Sequence, residues 1–265
     1  MKNITMLVAS ALIITGCSSN TDFNEDKQNT EEEEVTEEEA AEPVAGDENE
    51  SREKEEDTEE QAVEAPQLNE KGELTKPESE QVLVNREYRL PEGYEPDDLT
   101  VPDIPFPFEE DHPKKQIREP AVKPLEELFD EASEEGLQLY AISGYRSYDR
   151  QEAIFAANAA EDGEEEANQY SAKPGQSEHQ SGLAMDVSSP SADLALTDEF
   201  GETPEGQWLK DNAHRFGFII RYPEDKTDIT GFQYEPWHLR YVGKEAAETM
   251  HEKDQTLEEY YGVEE

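Results

Sequence analysis

The chain has 265 residues, of which 68 are acidic and 22 basic, for a formal net charge of -46. Neutralising phosphates takes clustered Lys and Arg, so this balance excludes a simple nucleic-acid binder. One cysteine, Cys17, excludes an internal disulfide and a Cys-rich metal site, and a hydrophobic content of 33% implies that part of the chain stays unfolded.

Residues 1–16 start with Lys2 and continue through an apolar run from Met6 to Ile14. That is the order of a secretory signal, and it is too short to persist as a membrane span. The run ends in Ile14-Thr15-Gly16-Cys17, which resembles the bacterial lipobox. The resemblance implies cleavage before Cys17, acylation of its thiol and a mature protein on the extracytoplasmic face of the cell membrane. Each buried methylene contributes about 0.8 kcal/mol, and two or three acyl chains together anchor stably. The plainer alternative is an ordinary signal with a stray cysteine. Residues 17–80 then read as an acidic tether, with runs such as Glu31-Glu32-Glu33-Glu34 and almost no large side chains. Such a segment cannot offset its conformational entropy, and its like charges extend it. Roughly 60 residues reach at most about 200 Å. A rival reading makes it a tail for divalent cations or a partner.

Aromatic and β-branched residues return at Val82-Leu83-Val84, and residues 81–265 suffice for one core. Leu90 to Pro107 is proline-rich and is expected to wrap the surface as extended chain. A helix is expected from Pro124, with Leu125, Leu128, Phe129 and Ala132 on one face and Gly136 at its end. Leu137–Ile142 alternates as a strand, and 148–160 reads as a helix with Ile154 and Phe155 inward. Leu183–Val187 is a strand. Thr203-Pro204 opens a helix that carries Trp208, Leu209 and Phe216 and closes at Gly217. Phe218–Tyr222 and Pro236–Val242 are neighbouring strands. Helices interleave with strands without a βαβ rhythm, which predicts an α+β fold: helices packed on a small, mostly antiparallel sheet.

Of the five histidines, His112 and His251 lie in charged, exposed stretches, and His214 sits structurally on the 203–216 helix. His179 and His238 differ. His179 opens His179-Gln180-Ser181-Gly182-Leu183-Ala184-Met185-Asp186, and His238 ends Glu235-Pro236-Trp237-His238. A catalytic zinc wants three N/O ligands and an open position. With no cysteine in the folded part, His179, Asp186 and His238 make a suitable set. Asp186 would point inward from an apolar strand, where an unpaired carboxylate is costly and a metal offsets that cost. Glu235, close to His238, could accept a proton from water. Spacing of this kind is by itself a weak signal.

Three motifs strengthen it. Ser143-Gly144-Tyr145-Arg146-Ser147, the run from Ser177 and His179 through Ser181-Gly182 and Ala184 to Asp186, and Glu235-Pro236-Trp237-His238 together resemble the VanY-type D-alanyl-D-alanine carboxypeptidases, a family of zinc peptidases. Val82-Leu83-Val84-Asn85 and Leu90-Pro91 with Tyr94, Pro96 and Asp98-Leu99 extend the likeness, which covers roughly residues 81–255. It implies a hedgehog/D-Ala-D-Ala peptidase-like fold. It also implies Zn2+ on His179, Asp186 and His238, Glu235 as base, Arg146 as oxyanion stabiliser, and Gln151 and Ser177 as substrate contacts. A fixed guanidinium suits the role given to Arg146, although it could equally form a surface ion pair. Ser177 could instead fix its loop.

The expected activity is removal of the C-terminal D-Ala from peptidoglycan stem peptides by a monomer anchored to the membrane through lipid. An L,D-carboxypeptidase acting on tetrapeptides is the alternative, and a non-catalytic zinc-containing wall-binding module is another. The latter would lack the base, whereas Glu235 and Arg146 are both present. A penicillin-binding serine enzyme needs Ser-x-x-Lys, which occurs only as Ser51-Arg52-Glu53-Lys54 in the tether. Residues 81–265 alone hold about 43 acidic and 16 basic residues, roughly -27. Charge of that size suggests adaptation to high salt or high pH.

Overall fold

The computed structural model describes residues 64–263; the signal segment, Cys17 and the acidic run to residue 63 lie outside them. The folded part begins well before residue 81. Leu68 bridges Leu74, Glu73 bridges Arg89, and Leu74 is buried in the main core. The tether expected to reach residue 80 is therefore shorter at its C-terminal end. Leu74 and the main-chain bond from Leu74 N to Arg89 O give residues 64–80 something to fold against.

Two short strands, β1 (Leu99–Thr100) and β2 (Ile117–Arg118), pair antiparallel and lead into α1 (Glu119–Glu134). α1 begins five residues before the expected Pro124, because Pro120 already occupies its first turn and Pro124 is carried inside. A proline so near the start loses only one early hydrogen bond. Ala121, Leu125, Leu128, Phe129 and Ala132 form the buried stripe.

Next come β3 (Tyr140–Ser143), α2 (Tyr148–Asp162), α3 (Glu164–Tyr170), β4 (Ala184–Ser188), α4 (Pro204–Asn212), β5 (Phe218–Tyr222), α5 (Thr227–Thr230), β6 (Glu235–Tyr241), α6 (Lys244–Lys253) and α7 (Leu257–Tyr261). α4 stops at Asn212, and a 3-10 turn over Ala213–Phe216 ends at Gly217 in the left-handed region, φ 81°. α2 differs from expectation in its inward face. Ile154 and Phe155 are half-buried, and Gln151 is its buried residue. The helix covers a polar site rather than the core.

β3, β4, β6 and β5 form one antiparallel sheet in that order. Alternation divides β4: Met185 and Val187 join the core, while Asp186 faces the other side. Register then does the assembling. Asp186 pairs with Ser143 on one flank and His238 on the other, and Tyr222 pairs with Glu235 across a bulge in β5. Residues far apart in sequence thus meet on one face of the sheet.

Candidate metal centre

His179 and Asp186 are brought together by a tight reversal. Glu178–Ser181 form a 3-10 turn that ends at Gly182, φ 70°, before β4 begins. A Cβ at Gly182 would stand 2.8 Å from both Arg118 Cγ and Leu99 Cδ2, so glycine is required for conformation and for space. Gly144 is as tightly placed: its Cβ would lie within 2.8 Å of Met185. Its carbonyl accepts from His179 Nδ1 at 2.8 Å.

That bond leaves His179 Nε2 facing Asp186 Oδ2 at 3.3 Å. His238 uses the opposite edge. Its Nδ1 lies 3.2 Å from Asp186 Oδ1, and its Nε2 lies 3.3 Å from Glu178 Oε2. The rings stand 4.9 Å apart at 78°. One ligand atom from each of His179, Asp186 and His238 falls within 4.8 Å of the others, and all three residues are buried.

Do these residues suit a metal? Asp186 Oδ1 is buried and accepts no hydrogen bond, although His238 Nδ1 is near. A buried carboxylate oxygen left so is costly unless a cation completes it. Two imidazoles and a carboxylate form an N,N,O set of the kind zinc takes in open catalytic sites. The residues fit the ion.

Charge follows the same geometry. Burial works against the Asp186 carboxylate, yet His179 and His238 hold its pKa well below the ordinary range. Burial lowers His179, which favours the neutral imidazole a metal needs. Burial also opposes protonation of His238, but the Asp186 and Glu178 carboxylates beside its two ring nitrogens raise it to about 9. Glu235 Oε2 lies 3.6 Å from His238 Nδ1. Burial pushes its carboxyl up to about 7.

A cavity of about 240 Å³ opens over these groups, lined by all the residues singled out in the sequence except Cys17, which lies outside the described region. Arg146 is held at both ends: its backbone N–H donates to His179 O at 3.1 Å, and Nη1 donates to Gln151 Oε1 at 2.8 Å. Gln151 in turn donates to Ala172 O at 2.6 Å. Its amide therefore braces the guanidinium. Ser177 lines the cavity without capping the turn that follows it. The other histidines lie elsewhere. His112 accepts from Lys114 N, and His214 stacks on His251 with centroids 3.6 Å apart.

Sequence reading missed two residues here. Tyr222 is buried with its ring 5.0 Å from that of His238. Glu178 is buried directly behind the same histidine. The available signal was Arg221 and Arg240 inside apolar strands, since buried arginines demand buried acids.

Residues 114–244 match the family model described as VanY, D-alanyl-D-alanine carboxypeptidase. The chain is 45% identical over 256 residues to YodJ of Bacillus subtilis (strain 168), covering 96% of this chain and 93% of that one. Among solved structures it is similar to the LdcB LD-carboxypeptidase, at 48% identity and a TM-score of 0.74 over 77% of this chain and 98% of the other. A glutamate-to-alanine variant of the vancomycin resistance D,D-pentapeptidase VanY, in complex with Zn(II), matches at 34% and 0.56, over 68% and 98%.

Proposed function

The chain belongs to the VanY family of D-alanyl-D-alanine carboxypeptidases, and from that premise we propose that it is a zinc-dependent enzyme that releases the C-terminal D-Ala of peptidoglycan stem peptides. The observation that carries the reading is the buried His179–Asp186–His238 cluster, with Glu235 beside it in a cavity of about 240 Å³. The Zn(II) complex of a family relative supports the choice of metal.

His179 Nε2, Asp186 and His238 Nδ1 would hold the ion. Zinc supplies a Lewis acid and lowers the pKa of water to about 7. The Glu235 side chain is 18% exposed, enough to reach the cavity. A group near pKa 7 can take a proton from water and return it to the leaving amine. Arg146, half-buried and braced by Gln151, would place a fixed positive charge where a scissile carbonyl oxygen gains negative charge. Ser177 and Gln151 complete the wall that the substrate would touch.

Two bonds fit this chemistry. The family's name points to D-Ala-D-Ala at the end of a pentapeptide. The second reading, L,D-cleavage of a tetrapeptide, is favoured by the greater likeness to LdcB, 48% and 0.74 against 34% and 0.56 for VanY. Mass spectrometry of defined pentapeptide and tetrapeptide stems after incubation distinguishes them, and release of D-Ala from neither would overturn the activity. We place the enzyme, as a monomer, on the extracytoplasmic face of the membrane through a lipid on Cys17, supported by the lipobox-like run that ends there. Radiolabelled fatty acid should enter the wild-type protein and not Cys17→Ser; failure to label wild type removes the anchor.

A further inference from the structure

Behind His238, on the side away from its ligand nitrogen, lies a buried frame of charges that the chemistry above does not use. Glu178 Oε1 accepts from Arg221 Nε at 2.8 Å and Arg240 Nη1 at 2.6 Å. Arg221 forks onto Glu258, with bonds of 2.9 and 2.6 Å, and Asn85 adds a third at 3.1 Å. Arg240 Nη2 donates to Val82 O and Glu80 O. All four charged side chains are at most 1% exposed. Apolar residues of similar volume often stabilise a core as well as such a frame does. Its geometry suggests a task besides stability. Both arginines occupy Glu178 Oε1, which leaves Oε2 directed at His238 Nε2, 3.3 Å away.

We propose that Glu178 is a positioning residue for His238: it accepts a hydrogen bond from Nε2–H and so presents Nδ1 to the point shared with Asp186 and His179. The inference rests on the reading of His238 as a zinc ligand. A neutral imidazole has one proton, and the partner of one nitrogen decides which nitrogen is free for a metal. The two histidines here offer opposite nitrogens. For His179 the Gly144 carbonyl accepts a hydrogen bond from Nδ1–H; for His238 a carboxylate locked by two arginines accepts one from Nε2–H. Glu178 is held by both arginines, Arg221 fastened in turn by Glu258 from α7 and Arg240 by the Val82 and Glu80 carbonyls.

Glu178→Gln tests this with nearly unchanged volume. Its amide oxygen would stay with the arginines, turning NH2 toward Nε2. A donor there favours the proton on Nδ1, the nitrogen the metal needs. Zinc affinity is measured by competition with a chromophoric chelator, with near-ultraviolet circular dichroism and thermal melts of the metal-free protein to establish folding. The expected result is a folded variant with zinc affinity lowered about 10–100-fold. Glu258→Gln, which leaves Glu178 on Arg240, should lose far less affinity. A folded E178Q within twofold of wild type overturns the proposal, and so does an equal loss in both variants. Should E178Q not fold, long-range 1H–15N spectra of the zinc-loaded wild type decide: metal on His238 Nδ1 with a proton on Nε2 is expected, and the reverse overturns it. Wild type that binds no zinc would sink the metal reading itself, a distinct failure from wild-type binding that E178Q leaves intact.

Discussion

His179 Nε2 lies 3.3 Å from Asp186 Oδ2 although a 3-10 turn and the start of β4 separate them. Gly182 makes the approach possible by taking φ 70° in a space closed by Arg118 and Leu99. Gly182→Ala should therefore cost about 1–3 kcal/mol of stability, from left-handed strain plus the clash. Zinc affinity should fall with it. Chemical denaturation with and without zinc checks both, and an unchanged midpoint would show that the turn tolerates a side chain.

Glu235 and His238 stand in the same short run but should fail differently. Glu235→Ala removes the proposed proton acceptor while leaving His179, Asp186 and His238 in place, so zinc content should be retained and turnover should drop by about 10²–10⁴-fold. His238→Ala removes a proposed ligand, so metal content itself should fall. Metal analysis paired with D-Ala release separates the two. Exhaustive chelation of wild type should leave a folded, inactive protein that zinc restores.

Glu258 gives the fold an acid-sensitive fastening. Burial raises its carboxyl pKa, but Arg221, through charge and hydrogen bonds, and Asn85 bring it below the ordinary range. A depressed folded value means that its contribution is complete above the unfolded pKa of about 4.3 and is lost as pH falls through the lower folded value. At neutral pH Glu258→Gln should cost about 3 kcal/mol, since it breaks a buried pair. The gap between wild type and variant should narrow from about pH 5 to pH 3. Thermal melts across that range test it; a constant gap would mean that Glu258 is not ionised in the fold.

Much of the site was legible because its residues broke local rules. Asp186 interrupts Ala184-Met185-Val187, and an acid in an apolar strand demands compensation. His179 and His238 stood out because the other three histidines had ordinary surroundings. The strands were readable from alternation, and antiparallel pairing followed from the missing βαβ rhythm. What could not be read was register. No local pattern states that Asp186 sits opposite His238, or that Tyr222 sits opposite Glu235. Glu178 was hidden for a related reason: its partners Arg221 and Arg240 come from two other strands. The inward face of α2 was misread because Ile154 and Phe155 suggested a core contact, whereas the helix buries Gln151 against Arg146.

The start of the domain was placed too late, and the error has a measurable consequence. Residues 64–80 look like the acidic segment before them, but Leu74 enters the core, Arg118 Nη1 donates to Glu78 O at 2.7 Å, and Arg240 Nη2 reaches Glu80 O. A fragment beginning at residue 81 should melt below one beginning at residue 64. Exposing one buried leucine costs about 1.5–3 kcal/mol, before the lost bonds to Arg118 and Arg240 are counted. Equal melting temperatures would mean that residues 64–80 add nothing.

Salt should stabilise the folded domain, and residues 64–265 are the fragment with which to test it. The excess of negative charge persists after the acidic N-terminal run is removed, at roughly -27 over residues 81–265 alone. Small soluble domains carry a magnitude of about 2–8. At low ionic strength such charges repel one another and oppose compaction. At molar salt the Debye length falls to about 3 Å, so repulsion between separated surface charges largely disappears. The buried frame around Glu178 and Arg221 should respond little, because those pairs are close, dry and poorly screened. Two responses therefore separate. Wild type should melt at rising temperature from dilute buffer to molar sodium chloride, and Glu258→Gln should lie below it by a nearly constant interval. A melting temperature that stays flat or falls would count against a salt-adapted surface, and an interval that closes with salt would show the frame to be open to solvent.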